Sequence, residues 1–160
     1  MSSNYPLELL KQMLEIHSPS GREEKLALFL KDQLTQLGFR NVTLDRVGNV
    51  CGEVGSGSPT ILLCGHMDTV PGDLPLRVEG NKIYGRGAVD AKSSLASMII
   101  ASSRLETEET RGRVIVACVV EEEGKGRGIR QILRNKWDID YAIFGEPSGV
   151  DSITIAYKGS

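Results

Sequence analysis

Aromatic residues make up only 5% of this 160-residue chain, and it has just two histidines. So few aromatics weaken any reading in which bases stack on the protein. Charge of one sign is also missing. Nineteen Lys plus Arg stand against 21 Asp plus Glu, a formal net charge of −2, which is no electrostatic footprint for nucleic acid or an anionic membrane. Long hydrophobic runs are absent as well. Thr60–Cys64 and Val114–Val120 are far too short to span a bilayer and suit buried strands. Met1–Leu10 lacks the basic stretch followed by an apolar one that marks a secretory leader. Cysteine is scarce: Cys51, Cys64 and Cys118 are an odd number without CxxC spacing, each in or beside an apolar stretch. They read as small buried hydrophobes in a reducing cytoplasm.

What is present is an ordinary globular balance, 40% hydrophobic and 25% charged, in a length that suits one domain with a buried core. Periodicity predicts a helix over Tyr5–Ile16 with Leu7, Leu10 and Leu14 on one face. A second helix carries Leu26, Phe29, Leu30, Leu34 and Leu37 and stops at Gly38, with Ser20, Glu23 and Glu24 as its capping arrangement. Asn41–Asp45 and Asn49–Val54 read as strands, Gly55–Pro59 as a tight turn and Thr60–Gly65 as a buried strand. Leu76–Tyr84 is a hairpin around Glu79-Gly80-Asn81. A small-residue-rich helix over Lys92–Glu106 turns Leu95, Met98, Ile99 and Leu105 inward. Arg113–Val120 and Tyr141–Gly145 are buried strands. A short helix over Gly126–Lys136 has Ile129, Ile132 and Leu133 as its apolar side, and Ser152–Tyr157 is a final strand. Strands alternating with helices predict an α/β fold, a layered sandwich on a largely parallel sheet.

Polar chemistry falls at the ends of the predicted strands, where ligands bind in open α/β sheets. In Gly65-His66-Met67-Asp68-Thr69, residues two apart share a face, which suits an imidazole ligand with a carboxylate partner. A solvated loop histidine with a capping aspartate fits the same spacing. Asp90 follows a glycine-rich loop and precedes a helix, so it is either a ligand or an N-cap. Glu121-Glu122-Glu123-Gly124 gathers three carboxylates at a strand end. A divalent cation would relieve their repulsion, and so would solvent at an exposed acidic turn. Glu146, in Gly145-Glu146-Pro147-Ser148, is a ligand or a plain loop residue. Together the four loops make a mixed carboxylate–imidazole set, which favours zinc, cobalt or manganese over magnesium or calcium. Nucleotide motifs fail: Gly124-Lys125-Gly126-Arg127-Gly128 has Ile129 where GxGxxG needs its last glycine, and no glycine precedes Gly124 at P-loop spacing.

In order and content, Gly-His66-Met-Asp68-Thr-Val-Pro, Gly85-Arg-Gly-Ala-Val-Asp90-Ala-Lys, Glu121-Glu-Glu-Gly and Gly145-Glu146-Pro-Ser resemble the M20 metallopeptidases and deacylases. That family includes acetylornithine deacetylase and succinyl-diaminopimelate desuccinylase. Ser18-Pro-Ser-Gly21 and the Gly-Arg-Gly-Ala-Val-Asp-Ala-Lys wording look most like members that release lysine or ornithine from an amino-group carrier protein. The resemblance implies the N-terminal part of a three-layer α/β/α catalytic domain over residues 1–160, with the lid and dimerisation domain and the C-terminal half missing. It implies hydrolysis of an amide bond in lysine or arginine biosynthesis, by a cytoplasmic enzyme whose full-length relatives are often homodimers. Two Zn2+ ions, replaceable by Co2+, would serve the complete site. His66, Asp90 and Glu146 would bind one ion, Asp90 would bridge to the second, and Glu123 would bind that second ion. Asp68 would orient His66, and Glu122 would be the general base, chosen over Glu121 to match the family's Glu-Glu-Gly ending. A cis peptide at Asp90–Ala91 is implied too.

The second-metal histidine of such enzymes has no counterpart here, since His17 lies in the first interhelical loop. The expectation for this chain alone is therefore weak or absent activity, with an exposed strand edge. The alternatives are an inactive metal-binding fragment that needs a second chain, or a dipeptidase or carboxypeptidase of the same family.

Overall fold

The structure, a computed structural model, describes residues 4–105, 111–149 and 151–155. Its first helix, α1 (Tyr5–Glu15), buries Leu9, Met13 and Leu14. Leu7, expected on the inner face, is 39% exposed. The i, i+4 pair Leu9 and Met13 is buried in the core instead, and the sequence pattern had not counted that methionine as core. Helix α2 (Glu24–Gln36) buries Leu26, Ala27, Leu30 and Leu34. It ends at Gly38, whose φ of +82° only glycine adopts freely. Its N-cap is Glu23, with no side-chain cap bond, so the expected capping by Ser20 does not occur.

The central sheet is built from β1 (Arg40–Leu44), β2 (Val50–His66), β5 (Arg111–Val119) and β6 (Tyr141–Phe144). The two strands and the tight turn expected over residues 49–65 form one extended segment, β2, whose two arms straddle β5. Over Thr60–His66 the pairing is parallel, from Thr60 opposite Arg113 to His66 opposite Val119. Over Val50–Ser56 the register falls, from Val50 opposite Cys118 to Gly55 opposite Arg113, so this arm runs antiparallel to β5. β1 pairs antiparallel with the first arm, and β6 pairs parallel with the second, Ile61 opposite Tyr141 and Cys64 opposite Phe144. The second arm, β5 and β6 therefore point the same way, and their carboxyl ends share one edge of the sheet.

Side chains alternate along the strands into two cores. Val50, Val54, Val114, Val116 and Cys118 pack with α1, α2 and α3 (Lys92–Ser103) on one face. Cys51, Leu62, Cys64, Ile115, Ala117 and Val119 pack with Ile132 of α4 (Arg127–Ile132) on the other, against Ile129, Trp137 and Ile139. Helices on both faces give the expected three layers with a mixed sheet. A separate hairpin, β3 (Arg77–Glu79) with β4 (Lys82–Tyr84), turns at Gly80 as expected.

Several boundaries differ. α3 stops at Ser103 and leaves Leu105 38% exposed, while Glu106 lies outside the described residues. α4 covers only Arg127–Ile132, so Leu133 falls beyond its last turn and is exposed. β6, expected to be buried, exposes Tyr141, Ile143 and Phe144. It has β2 on one side and, among the described residues, no strand on the other. Of the expected final strand, Ser152–Ile155 is irregular and Ala156 and Tyr157 lie outside the described residues.

Candidate metal centre

The carboxyl ends of the parallel strands deliver the polar groups. His66 is the last residue of β2, Glu121–Glu123 follow β5 and Glu146 follows β6. Asp90 arrives from the loop before α3. It does not cap that helix: the N-cap is Ala91, with no side-chain cap bond. The Asp90–Ala91 peptide is cis, as the resemblance implied.

His66 is 1% exposed. Its Nδ1 lies 2.8 Å from the backbone carbonyl of Asp68 and 3.6 Å from that residue's carboxylate. A carbonyl only accepts, so Nδ1 carries a proton and Nε2 faces the site. The orienting contact from residue 68 is thus its peptide oxygen before its side chain. Nε2 lies 2.9 Å from Asp90 Oδ1 and 4.0 Å from Glu146 Oε2. One ligand atom each from His66, Asp90 and Glu123 falls within 4.8 Å of the others. Two ligand atoms on a tetrahedral ion at zinc–nitrogen and zinc–oxygen bond lengths sit about 3.4 Å apart. The observed separations bracket that value, and the donor set is the imidazole–carboxylate mixture that suits zinc, cobalt or manganese. The residues present therefore fit a divalent cation. Glu123, implied for a second ion, lies beside the His66–Asp90 pair in this arrangement.

Electrostatics follow from crowding. Burial and the carboxylates of Asp90, Glu122 and Asp68 raise Glu123 above the ordinary carboxyl range, against the opposing pull of His66. Glu146 is raised by burial and by Glu122, Asp90 and Glu123, again opposed by His66. Burial alone would lower the imidazole. Hydrogen bonds to the Asp68 side chain and backbone and to Asp90 outweigh it and lift His66 to about 9.

Asp68 is fully buried, and its carboxylate is a hub. Oδ2 accepts from the Ser20 hydroxyl at 2.6 Å and from the Glu123 N–H at 3.0 Å, and Oδ1 accepts from the Glu122 N–H at 2.9 Å. Burial acts to raise this carboxyl, but hydrogen bonds from His66, Ser20 and Glu122 win and hold it low. Glu122 projects to the exposed surface beside the cluster, whereas the Glu121 side chain pairs with Arg127 at 2.8 Å. That separates the two candidates for the base: Glu121 is engaged elsewhere. His17 is exposed and does not join the group.

Two features escaped sequence reading. Lys92 is fully buried, and its ammonium donates to the carbonyls of Met13 and Ile16 at 2.9 and 2.8 Å, at the C-terminal end of α1. Burial lowers it to about 8. A cleft of about 940 Å3 opens beside Asp90 and Glu123, walled by Leu74, Leu76, Ile83 and Val89. Its size is at the upper end for small-molecule sites. Three buried thiols, Cys51, Cys64 and Cys118, are free as expected.

The sequence profile of peptidase family M20/M25/M40 matches residues 62–158. A LysW-lysine hydrolase from Deinococcus radiodurans is 43% identical over 155 residues, 95% of this chain and 42% of its own length. A LysW-lysine/LysW-ornithine hydrolase from Sulfurisphaera tokodaii is 38% identical over 152 residues, 95% of this chain and 42% of that protein. The chain spans a little under half the length of such relatives. Among solved structures, the M20 family metallo-carboxypeptidase Sso-CP2 from Sulfolobus solfataricus superposes with a TM-score of 0.77 at 24% identity, over 91% of this chain and 37% of that one. Human carnosine dipeptidase 1 gives 0.73 at 21% identity, over 89% and 38%. These two likenesses concern the fold.

Proposed function

Because the chain belongs to peptidase family M20/M25/M40, we propose that it carries the cation-holding part of an amide hydrolase that releases an amino acid. The observation that carries this reading is the convergence of His66, Asp90 and Glu123, with Glu146 Oε2 4.0 Å from His66 Nε2, at one edge of the sheet. His66 would hold the ion through Nε2 and Asp90 through its carboxylate, and Glu123 and Glu146 would complete the set. Zinc is the ion we favour, with cobalt as a substitute, and a second ion would need a ligand from outside these residues. The bound cation would supply Lewis-acid polarisation of the scissile carbonyl.

Glu122 takes the proton of the attacking water and passes it to the leaving amine. Its backbone N–H is fixed by Asp68, and its carboxylate has no ion-pair partner among the described residues. The apolar wall of the neighbouring cleft would receive the aliphatic part of the substrate. Lysine or ornithine joined by an amide to an amino-group carrier protein is the substrate class we favour, supported by the names of the relatives above. An N-acyl amino acid is the second choice. A cytoplasmic location suits three free buried thiols. In this reading the 160 residues are one domain, the N-terminal portion of the catalytic unit. The share of the relatives that is covered, under half, is consistent with a portion of a longer unit.

The test is zinc calorimetry on this chain, with His66→Ala as control. One tight site lost in the control supports the reading, and no His66-dependent site refutes it. In any preparation with turnover, Glu122→Gln lowers the rate by about 10²–10⁴-fold if it is the base. Chelator-insensitive turnover refutes a metal mechanism.

A further inference from the structure

Glu121, Glu122 and Glu123 present three successive peptide N–H groups, and each is held by a carboxylate from elsewhere in the chain. Glu121 N–H donates to Glu23 Oε1 at 3.0 Å, Glu122 N–H to Asp68 Oδ1 at 2.9 Å, and Glu123 N–H to Asp68 Oδ2 at 3.0 Å. Glu23 and Asp68 are buried, at 5% and 0% exposure. A buried carboxylate is costly unless hydrogen-bond donors satisfy it, and these three N–H groups are such donors.

What they do is set the path of the turn. The Glu23 side chain makes no cap bond to its own helix, although Glu23 is the N-cap of α2, so its carboxylate is free for Glu121. Glu121 sits at φ +55°, a left-handed conformation that swings the chain from β5 into the turn. Ser20 locks the other anchor by donating its hydroxyl to Asp68 Oδ2 at 2.6 Å. The same loop is stitched to the strand edge by Ser18 Oγ–H to the Met67 carbonyl, Thr69 N–H to the Ser18 carbonyl and Ser20 N–H to the Thr69 carbonyl. Contact with the turn is close: a Cβ added at Gly124 would lie 3.3 Å from Ser20 Cβ.

We propose that Ser20 and Glu23 are positioning residues for the glutamates of the metal centre. They act through the peptide N–H groups of the acidic turn and never touch the ion. Glu23 fixes Glu121, and with it the direction in which Glu122 and Glu123 leave β5. Ser20 fixes Asp68, which fixes both glutamates and, through its carbonyl, His66. The proposal rests on the metal reading above.

Zinc calorimetry on the 160-residue chain tests it, using Glu23→Met, Glu23→Gln and Ser20→Ala beside the wild type and His66→Ala. Methionine keeps the bulk of Glu23 and loses the acceptor. Glutamine keeps an acceptor oxygen for the Glu121 N–H. Expected are about 10–100-fold weaker zinc binding in Glu23→Met and Ser20→Ala, the range for partners behind the ligands, and near-wild-type binding in Glu23→Gln. Amide exchange at Glu121 would accelerate in Glu23→Met and stay protected in Glu23→Gln. Wild-type affinity in both Glu23→Met and Ser20→Ala overturns the positioning role and leaves the metal reading standing. Equal weakening in Glu23→Gln and Glu23→Met also overturns it, because charge rather than hydrogen bonding would then be responsible. If the wild type itself shows no His66-dependent site, the metal reading fails first and the proposal falls with it. Should Glu23→Met fail to fold by circular dichroism, Ser20→Ala, which deletes a single oxygen, decides the matter.

Discussion

Proton and metal ion compete for one nitrogen. In the metal-free chain His66 donates Nδ1–H to the Asp68 carbonyl and its Nε2 faces Asp90 at 2.9 Å, and its pKa is raised to about 9. An ion must displace the Nε2 proton, so zinc affinity should rise about tenfold per pH unit below that value. From pH 6 to pH 8 the gain is about 100-fold, or about 2.7 kcal/mol. Calorimetry across that window, in buffers of different ionisation enthalpy, reads the affinity and the release of close to one proton per ion. At still lower pH the decline should steepen, since Glu123 and Glu146, both raised above the ordinary carboxyl range by burial and neighbouring carboxylates, take up protons as well. The same shift acts on stability with a definite sign. A folded-state pKa above the unfolded 6.5 gives stabilisation that is complete below pH 6.5 and lost as pH rises through 9. That amounts to about 3 kcal/mol for the metal-free chain, a suitable magnitude for a side chain only 1% exposed. Zinc affinity that stays flat between pH 6 and 8, or binding without proton release, would refute the argument.

Two further outcomes follow from the buried charges. Asp68→Ala strands the Ser20 hydroxyl and the N–H groups of Glu122 and Glu123. It should cost roughly 3–5 kcal/mol in urea unfolding with chelator present, the low end of about 1–3 kcal/mol for each of three groups because all three bonds are only partly buried, and a loss under about 1 kcal/mol would contradict it. Lys92 has the opposite linkage to His66: its pKa is depressed to about 8 from 10.5, so its penalty is full below pH 8 and relieved as pH rises toward 10.5. Relative to Lys92→Met, the wild type should gain about 2 kcal/mol of stability between pH 8 and pH 9.5, and a pH-independent difference would count against the depressed pKa of Lys92.

The layers of the fold were legible because buried strands and amphipathic helices leave strong periodic signals. The alternation of Val114, Val116 and Cys118 against Ile115, Ala117 and Val119 maps directly onto the two cores. The strand-end loops were legible for another reason, since metal-type side chains stood at each carboxyl end. What stayed hidden depends on tertiary placement. Nothing in Thr60–Gly65 reveals that its partner on one side is β5 rather than the preceding arm. Tyr141–Phe144 looks buried by composition, yet its exposure is set by which strands flank it. Glu23 and Ser20 read locally as a helix cap. Only the folded chain carries them across to Glu121 and Asp68. No local pattern marks Lys92 as buried, since its carbonyl partners lie more than seventy positions away.

The two arms of β2 adjoin each other along the chain, but in the sheet β5 lies between them. A strand that emerges from synthesis roughly fifty residues later must come to lie between them, where they stand about two strand spacings, 9–10 Å, apart. Without it, His66 would stand at the end of a strand with no acidic turn alongside. Insertion of β5 brings Val119 opposite His66 and carries Glu121–Glu123 to the same edge. Completion of the sheet and assembly of the ligand set are thus one event. A chain that stops short of β5 lacks both the acidic turn and the strand that keeps the two arms apart.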